Sequence, residues 1–132
     1  MDPSVIVGPA VGEDAAVLDM GGPELVVVKT DPITFATHDI GRHLLAVNSN
    51  DLATMGAQSR WLLVTALLPE GIARERIEVV FESVRQACSE AGVALVGGHT
   101  EITLGLNRPI LIGCRLCQSR PPASSRRPAG PI

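Results

Sequence analysis

Residues 12–33 read GEDAAVLDMGGPELVVVKTDPI. Two apolar runs, AAVLDM (15–20) and ELVVVKT (24–30), flank Gly21-Gly22-Pro23. Gly-Gly-Pro between short β-rich runs predicts two strands joined by a tight turn and antiparallel to one another. Thr30-Asp31-Pro32 predicts the end of the second strand, because proline brings no N–H to a ladder. Carboxylates stand at both mouths of this pair: Glu13 and Asp14 before the first strand, Asp31 after the second. Taken singly they have ordinary explanations, Asp14 as a turn cap and Asp31 as an Asx-turn before Pro32.

Further along, Asp39 is placed to cap a helix through IGRHLLAVNSNDLATMG (40–56), closing at Gly56. Asn48, Asn50 and Asp51 interrupt its apolar surface, and Asn48 and Asp51, three apart, share a face. RWLLVTALLP (60–69) is almost continuously apolar, the pattern of a strand buried on both faces. In IARERIEVVFESVRQACSEAG (72–92), Ile77, Val80, Phe81, Val84, Cys88 and Ala91 form one stripe, which predicts a helix lying on a sheet. VALVGG (93–98) reads as a strand running into a glycine turn, and PILIGCRL (109–116) as the last strand. The resulting fold class is α+β: a mixed, largely antiparallel sheet with two long helices on one face.

The chain has 132 residues, room for a single domain with a modest core. One Trp, two Phe and no Tyr argue against a platform that stacks nucleic-acid bases. Residues 1–114 hold seven basic residues against fourteen acidic ones, a net −7. That charge disfavours nucleic acid as a partner, since phosphate contacts need Lys and Arg. Phosphates would still be accepted through a divalent cation, which inverts the local sign. No run is long enough to span a membrane and the N-terminus lacks a signal pattern, so a cytoplasmic protein is expected.

Of three cysteines, Cys88 falls on the helix stripe and is expected in the core. Cys114 and Cys117 form a lone CxxC with no second pair and no nearby histidine, which does not amount to a zinc or redox site. From Gln118 the sequence turns to QSRPPASSRRPAGPI, without periodicity or aliphatic residues before Ile132. Residues 115–132 are therefore expected as a Pro/Arg-rich tail, either disordered or read out of frame.

Neither a Walker A, a GxSxG nor an HExxH is present, and Lys29 is the sole lysine, so a lysine-based phosphate cradle is excluded. His38 and His43, five apart, do not share a helical face. His99, within Gly97-Gly98-His99-Thr100, is the histidine best placed for chemistry. Jointly, Asp14, Asp31 and Asp51, with Glu101 after that glycine pair, supply oxygen ligands at the ends of apolar elements. Mg²⁺ takes such ligands and commonly accompanies nucleotide phosphates.

GEDAAVL (12–18), KTDPI (29–33), AVNSNDLATMGA (46–57) and GGHTEIT (97–103), in this order, resemble the aminoimidazole ribonucleotide synthetase (AIR synthase) superfamily. Its members include that purine enzyme, thiamine-monophosphate kinase, selenophosphate synthetase and an ATP-dependent hydrogenase maturation protein. The likeness covers residues 5–114 and is nearest in tone to the hydrogenase-maturation-like and thiamine-phosphate-kinase-like branches. It implies an N-terminal ATP-binding domain over residues 1–114 that dimerises by joining sheets, with ATP and Mg²⁺ near the interface. The metal residues it implies are Asp14, Asp31 and Asp51. The implied nucleotide-binding positions are Asn48, Gly97, Gly98, His99 and Thr100. His99 stands at a position where the family carries an acid as well as histidine, which leaves a fourth carboxylate to Glu101. The family's second α/β domain, which supplies glycine-rich phosphate contacts and much of the substrate cleft, is not found after residue 114. The resemblance thus implies a Mg-ATP domain of an enzyme activating an amide or acyl oxygen by phosphorylation, inactive alone. The alternatives are a non-catalytic dimerisation or interaction module, or a truncated remnant.

Overall fold

The computed structural model describes residues 2–47, 52 and 56–119. Six strands form one sheet: β1 (Val5–Val7), β2 (Ala16–Leu18), β3 (Leu25–Ile33), β4 (Gln58–Pro69), β5 (Ala94–Thr103) and β6 (Ile110–Ser119). Two described helices, α1 (Ile40–Ala46) and α2 (Arg74–Ala91), pack against it. Strand order is β1-β2-β3-β6-β4-β5, antiparallel throughout except for the parallel β4–β5 pair that α2 connects. The mixed sheet with helices on one face is the architecture the sequence predicts. β1 was not among the predicted strands; it is a three-residue edge piece, too short to show a period.

The β2–β3 hairpin forms with Val17 opposite Val27. β3, however, does not stop at Thr30. It runs through Asp31 and Pro32 to Ile33, each paired with β6. Pairing with β2 ends at Ala16–Val28, so beyond that point the other edge of β3 has no partner strand among the described residues. A residue without an N–H is tolerated at such an edge.

α1 starts as predicted: the Asp39 carboxylate accepts from the Arg42 N–H at 3.2 Å. It is shorter than predicted, ending at Ala46, with Val47 in an extended conformation (φ −57°, ψ 120°). Gly56 has φ +66° and the Ala57 N–H donates to Leu52 O at 3.0 Å, while the residues through which the predicted helix would run into Gly56 lie outside the described ones. Asn48, Asn50 and Asp51 lie outside the described residues.

α2 buries Val80, Val84, Ala87 and Cys88, with Ile77 and Phe81 packed alongside. These meet Ile33, Leu62, Val64, Ala66, Leu68 and Leu111 from the sheet and Ile40 and Leu44 from α1. A smaller cluster joins Val17, Val27, Leu52 and Cys117. α1 and α2 touch at Gly41, where a Cβ would collide with the Ser83 carbonyl.

Gly97 to Thr100, expected as a turn, lie inside β5. The β4–β5 register jumps between Leu62–Leu95 and Leu63–Gly97, leaving Val96 as an inserted residue. The glycines thus serve a bulge rather than a turn. Gly98 has φ +149°, and a Cβ there would overlap the Val64 carbonyl. β4 also departs from expectation: its burial alternates, with Leu62, Val64, Ala66 and Leu68 inside while Trp61 and Leu63 are 36% and 37% exposed. Among the described residues one face is covered, not two. The predicted tail boundary shifts as well. Residues 115–119 complete β6, flanked by β3 and β4, with Cys117 fully buried.

Replacing Gly98 by Ala should cost about 2–3 kcal/mol through overpacking against β4. Urea unfolding measures it, and a loss below about 1 kcal/mol would contradict the close approach of β5 to β4.

Candidate functional site

Alternation along β3 sends Val27, Lys29, Asp31 and Ile33 to the helix-covered face, and Val28 and Thr30 to the open one. Lys29 and Arg115 are register partners on β3 and β6, each only 4% exposed. The Arg115 guanidinium donates to Leu44 O at 2.8 Å and also to Leu45 O, so the sheet ties down the last carbonyls of α1. Burial holds the Arg115 pKa below its ordinary value, while Cys117, Asp31 and Cys88 pull it the other way. No motif marked this buried pair, although an arginine inside the alternating run ILIGCRLC was a usable signal.

On the open face, Glu13, Asp14, Thr30 and Cys114 border a cleft of about 340 Å³ beside the unpaired edge of β3. Asp14 and Thr30 therefore meet here, and Asp31 follows Thr30 with its side chain turned toward the other face. Among the described residues, no three His, Cys, Asp or Glu side chains gather as a metal-binding group. Asn48 and Asp51 fall outside those residues. His99 and Glu101, two apart on β5, share a face, with Nε2 and Oε2 3.8 Å apart and both side chains exposed. They pair across to Thr65 and Leu67 of β4, and the unpaired side of β5 is the far edge of the sheet from β1.

The CxxC resolves by strand geometry. Cys114 and Cys117 are three apart on β6, so they project to opposite faces, Cys114 into the cleft and Cys117 into the core. They cannot ligate one ion. Cys88 is buried, as its stripe position predicts. Desolvation raises the thiol pKa of both Cys88 and Cys117.

A family model for the AIR synthase related protein, N-terminal domain, matches residues 12–115. The chain belongs to this family. A hydrogenase expression/formation protein of Methanocaldococcus jannaschii is 33% identical over 103 residues, covering 75% of this chain and 31% of that protein. Selenide, water dikinase of Escherichia coli K12 is 38% identical over 110 residues, covering 76% of this chain and 30% of the enzyme. Among solved structures, the hydrogenase maturation protein HypE in complex with ATP superposes with a TM-score of 0.66 at 28% identity, over 83% of this chain and 34% of that one. The protein AaThiL complexed with AMPPCP and TMP superposes with a TM-score of 0.71 at 19% identity, over 86% of this chain and 38% of that one, a likeness of fold. The chain thus spans less than a third of the curated relatives' length. Among the described residues no helix is long and apolar enough to cross a membrane.

A thiol-specific disulfide reagent at pH 8 should modify Cys114 rapidly and Cys88 and Cys117 only on unfolding. Because the fold raises the two buried thiols, their stabilising contribution is complete below their unfolded value near 9.0 and declines as pH rises through it. Two or three fast thiols in the native protein would contradict this burial.

Proposed function

We propose that this chain is the Mg-ATP-binding and dimerisation part of an ATP-dependent enzyme, one that activates an amide or acyl oxygen by phosphorylation and is inactive without a second domain. The observation that carries the reading is the placing of Asp14 and Thr30 at the open edge of β3, one residue before Asp31, in a chain of this family. Their donors are all oxygen, which suits Mg²⁺. Asp14, Asp31 and Asp51 would hold the metal; Asn48 and the Gly97–Thr100 stretch of β5 would meet the nucleotide. Bound Mg²⁺ neutralises charge on the polyphosphate. Without it, the acidic body of this chain repels ATP. The ATP bound by the HypE structure and the AMPPCP bound by AaThiL support nucleotide binding here. The likeness to the M. jannaschii protein favours the hydrogenase-maturation branch over the thiamine-phosphate-kinase branch. A cytoplasmic setting, where ATP is supplied, goes with this reading.

Homodimerisation is supported by exposed apolar side chains where β4 and β5 begin, Trp61 and Leu63 on the open face of β4 and Val96 at the β5 bulge beside them. Lone apolar exposures are ordinary; a contiguous set on adjacent strands marks an interface.

Calorimetry should detect ATP binding only with Mg²⁺, weakened at least about tenfold in Asp31→Asn and Asp51→Asn, each the loss of one metal carboxylate. Equal binding by wild type and both variants would overturn the metal assignment. Light scattering should report a dimer, and a clean monomer would remove the interface reading. ATP hydrolysis by the purified chain would refute its inactivity alone.

A further inference from the structure

A second cavity lies apart from the β3 edge, where the chain passes from β3 into α1. Its volume is about 320 Å³, enough for a small organic molecule. Phe35, Ile40, Val79, Val80 and Pro109 give it apolar walls. The ionisable groups in its lining are His38, Arg76 and Arg108, with no carboxylate among them. That is unusual placement in a chain whose first 114 residues carry twice as many acidic as basic side chains.

The arginines of α1 and α2 sharpen the contrast. Arg42 pairs with Asp39 and Glu90, Arg74 with Glu78, and Arg85 with Glu82. Arg76, on the same helix as two of these, enters no ion pair among the described residues. Arg108, in the β5–β6 loop, donates Nε to its neighbour Asn107 at 2.9 Å and likewise has no acid. Acids do line the adjoining groove, but Asp39, Glu82 and Glu90 there are the partners of Arg42 and Arg85.

The wall is also fixed in advance. The Phe35 ring stands edge-on to His43, centroids 5.4 Å apart at 83°. Ser83 Oγ donates to the Asp39 carboxylate at 3.1 Å and accepts from the Gly41 N–H at 2.9 Å, and the Asp39 N–H donates to Thr37 Oγ1 at 3.3 Å. Asp39 is thereby tied to α2 and Phe35 to α1, so a ligand would meet an ordered wall at little entropic cost. An apolar chamber with a few convergent polar groups is the usual form of a small-molecule site, and guanidinium groups match carboxylates.

We propose that this cavity binds a small organic carboxylate with an aromatic or branched apolar body, the body against Phe35 and Val79 and the carboxylate on Arg76 and Arg108. The site shares no residue with the β3-edge cleft and does not depend on the nucleotide reading.

The test titrates the full chain with phenylacetate and with its neutral counterpart phenylacetamide, by calorimetry and ligand-observed NMR. Saturable phenylacetate binding at least tenfold tighter than the amide is the expected result. Combined Arg76→Gln and Arg108→Gln should weaken it at least tenfold. Val79→Glu, at a position 63% exposed, should do the same by placing a negative charge in the wall. Mg-ATP binding should be unchanged in both. Absence of saturation, equal affinity for the amide, or undiminished binding in either variant would overturn the proposal.

Discussion

β6, the last strand in sequence, is the one that joins the sheet. It lies between β3 and β4, which never pair with each other, so the hairpin half of the domain meets the β4–α2–β5 half through β6. Its alternation serves both clusters at once: Leu111 enters the core beneath the helices, and Cys117 closes the smaller cluster with Val17, Val27 and Leu52. Between them Gly113 lets Leu44 of α1 approach the sheet, and Arg115 holds the end of that helix. A strand that must arrive last and insert centrally makes every pairing long-range, which favours slow folding. It also means that residues 115–119 are structural, although the sequence reading assigns them to the Pro/Arg-rich segment that follows.

This strand shows where sequence reasoning reached its limit. The alternating and helical periods located the principal elements, the Asp39 cap and the buried stripe of α2. Local breaker residues were less trustworthy. Pro32 and the Gly97-Gly98 pair read as strand ends, yet both lie within strands, because an unpaired edge tolerates a missing N–H and Gly98 lies where a Cβ would overlap β4. The meaning of a breaker depends on which neighbour strand is present, and that is a tertiary fact. The same holds for the CxxC, whose spacing means one thing on a turn and the opposite on a strand.

The candidate site was legible as chemistry but not as geometry. Asp14 and Asp31 carry the resemblance in sequence, and Asp14 does border the β3 cleft with Thr30. That Asp31 turns to the face holding Lys29 and Arg115 follows only from the parity of β3, which the mistaken strand end at Thr30 concealed. The cavity between α1 and α2 had no sequence signal at all. Arg76 looked like one of several solvated charges on a helix, and only the pairing of its neighbours set it apart.

The strongest sign of something beyond this chain is a disagreement between pattern and burial. Residues 60–69 have the nearly continuous hydrophobicity of a strand covered on both faces, and half of their side chains are covered here. Next to it, β5 leaves Leu95, Val96 and Ile102 in solvent along an exposed sheet edge. A long, exposed apolar edge strand is an aggregation hazard that folded proteins pair, cover or charge. Glu101 supplies a charge at one position, with His99 beside it. The chain spans less than a third of its curated relatives' length, and among the described residues one face of its sheet is bare. The Asp14 cleft opens beside β3 and the His99–Glu101 pair lies on β5, so β6 and β4 separate the two parts of the proposed nucleotide site.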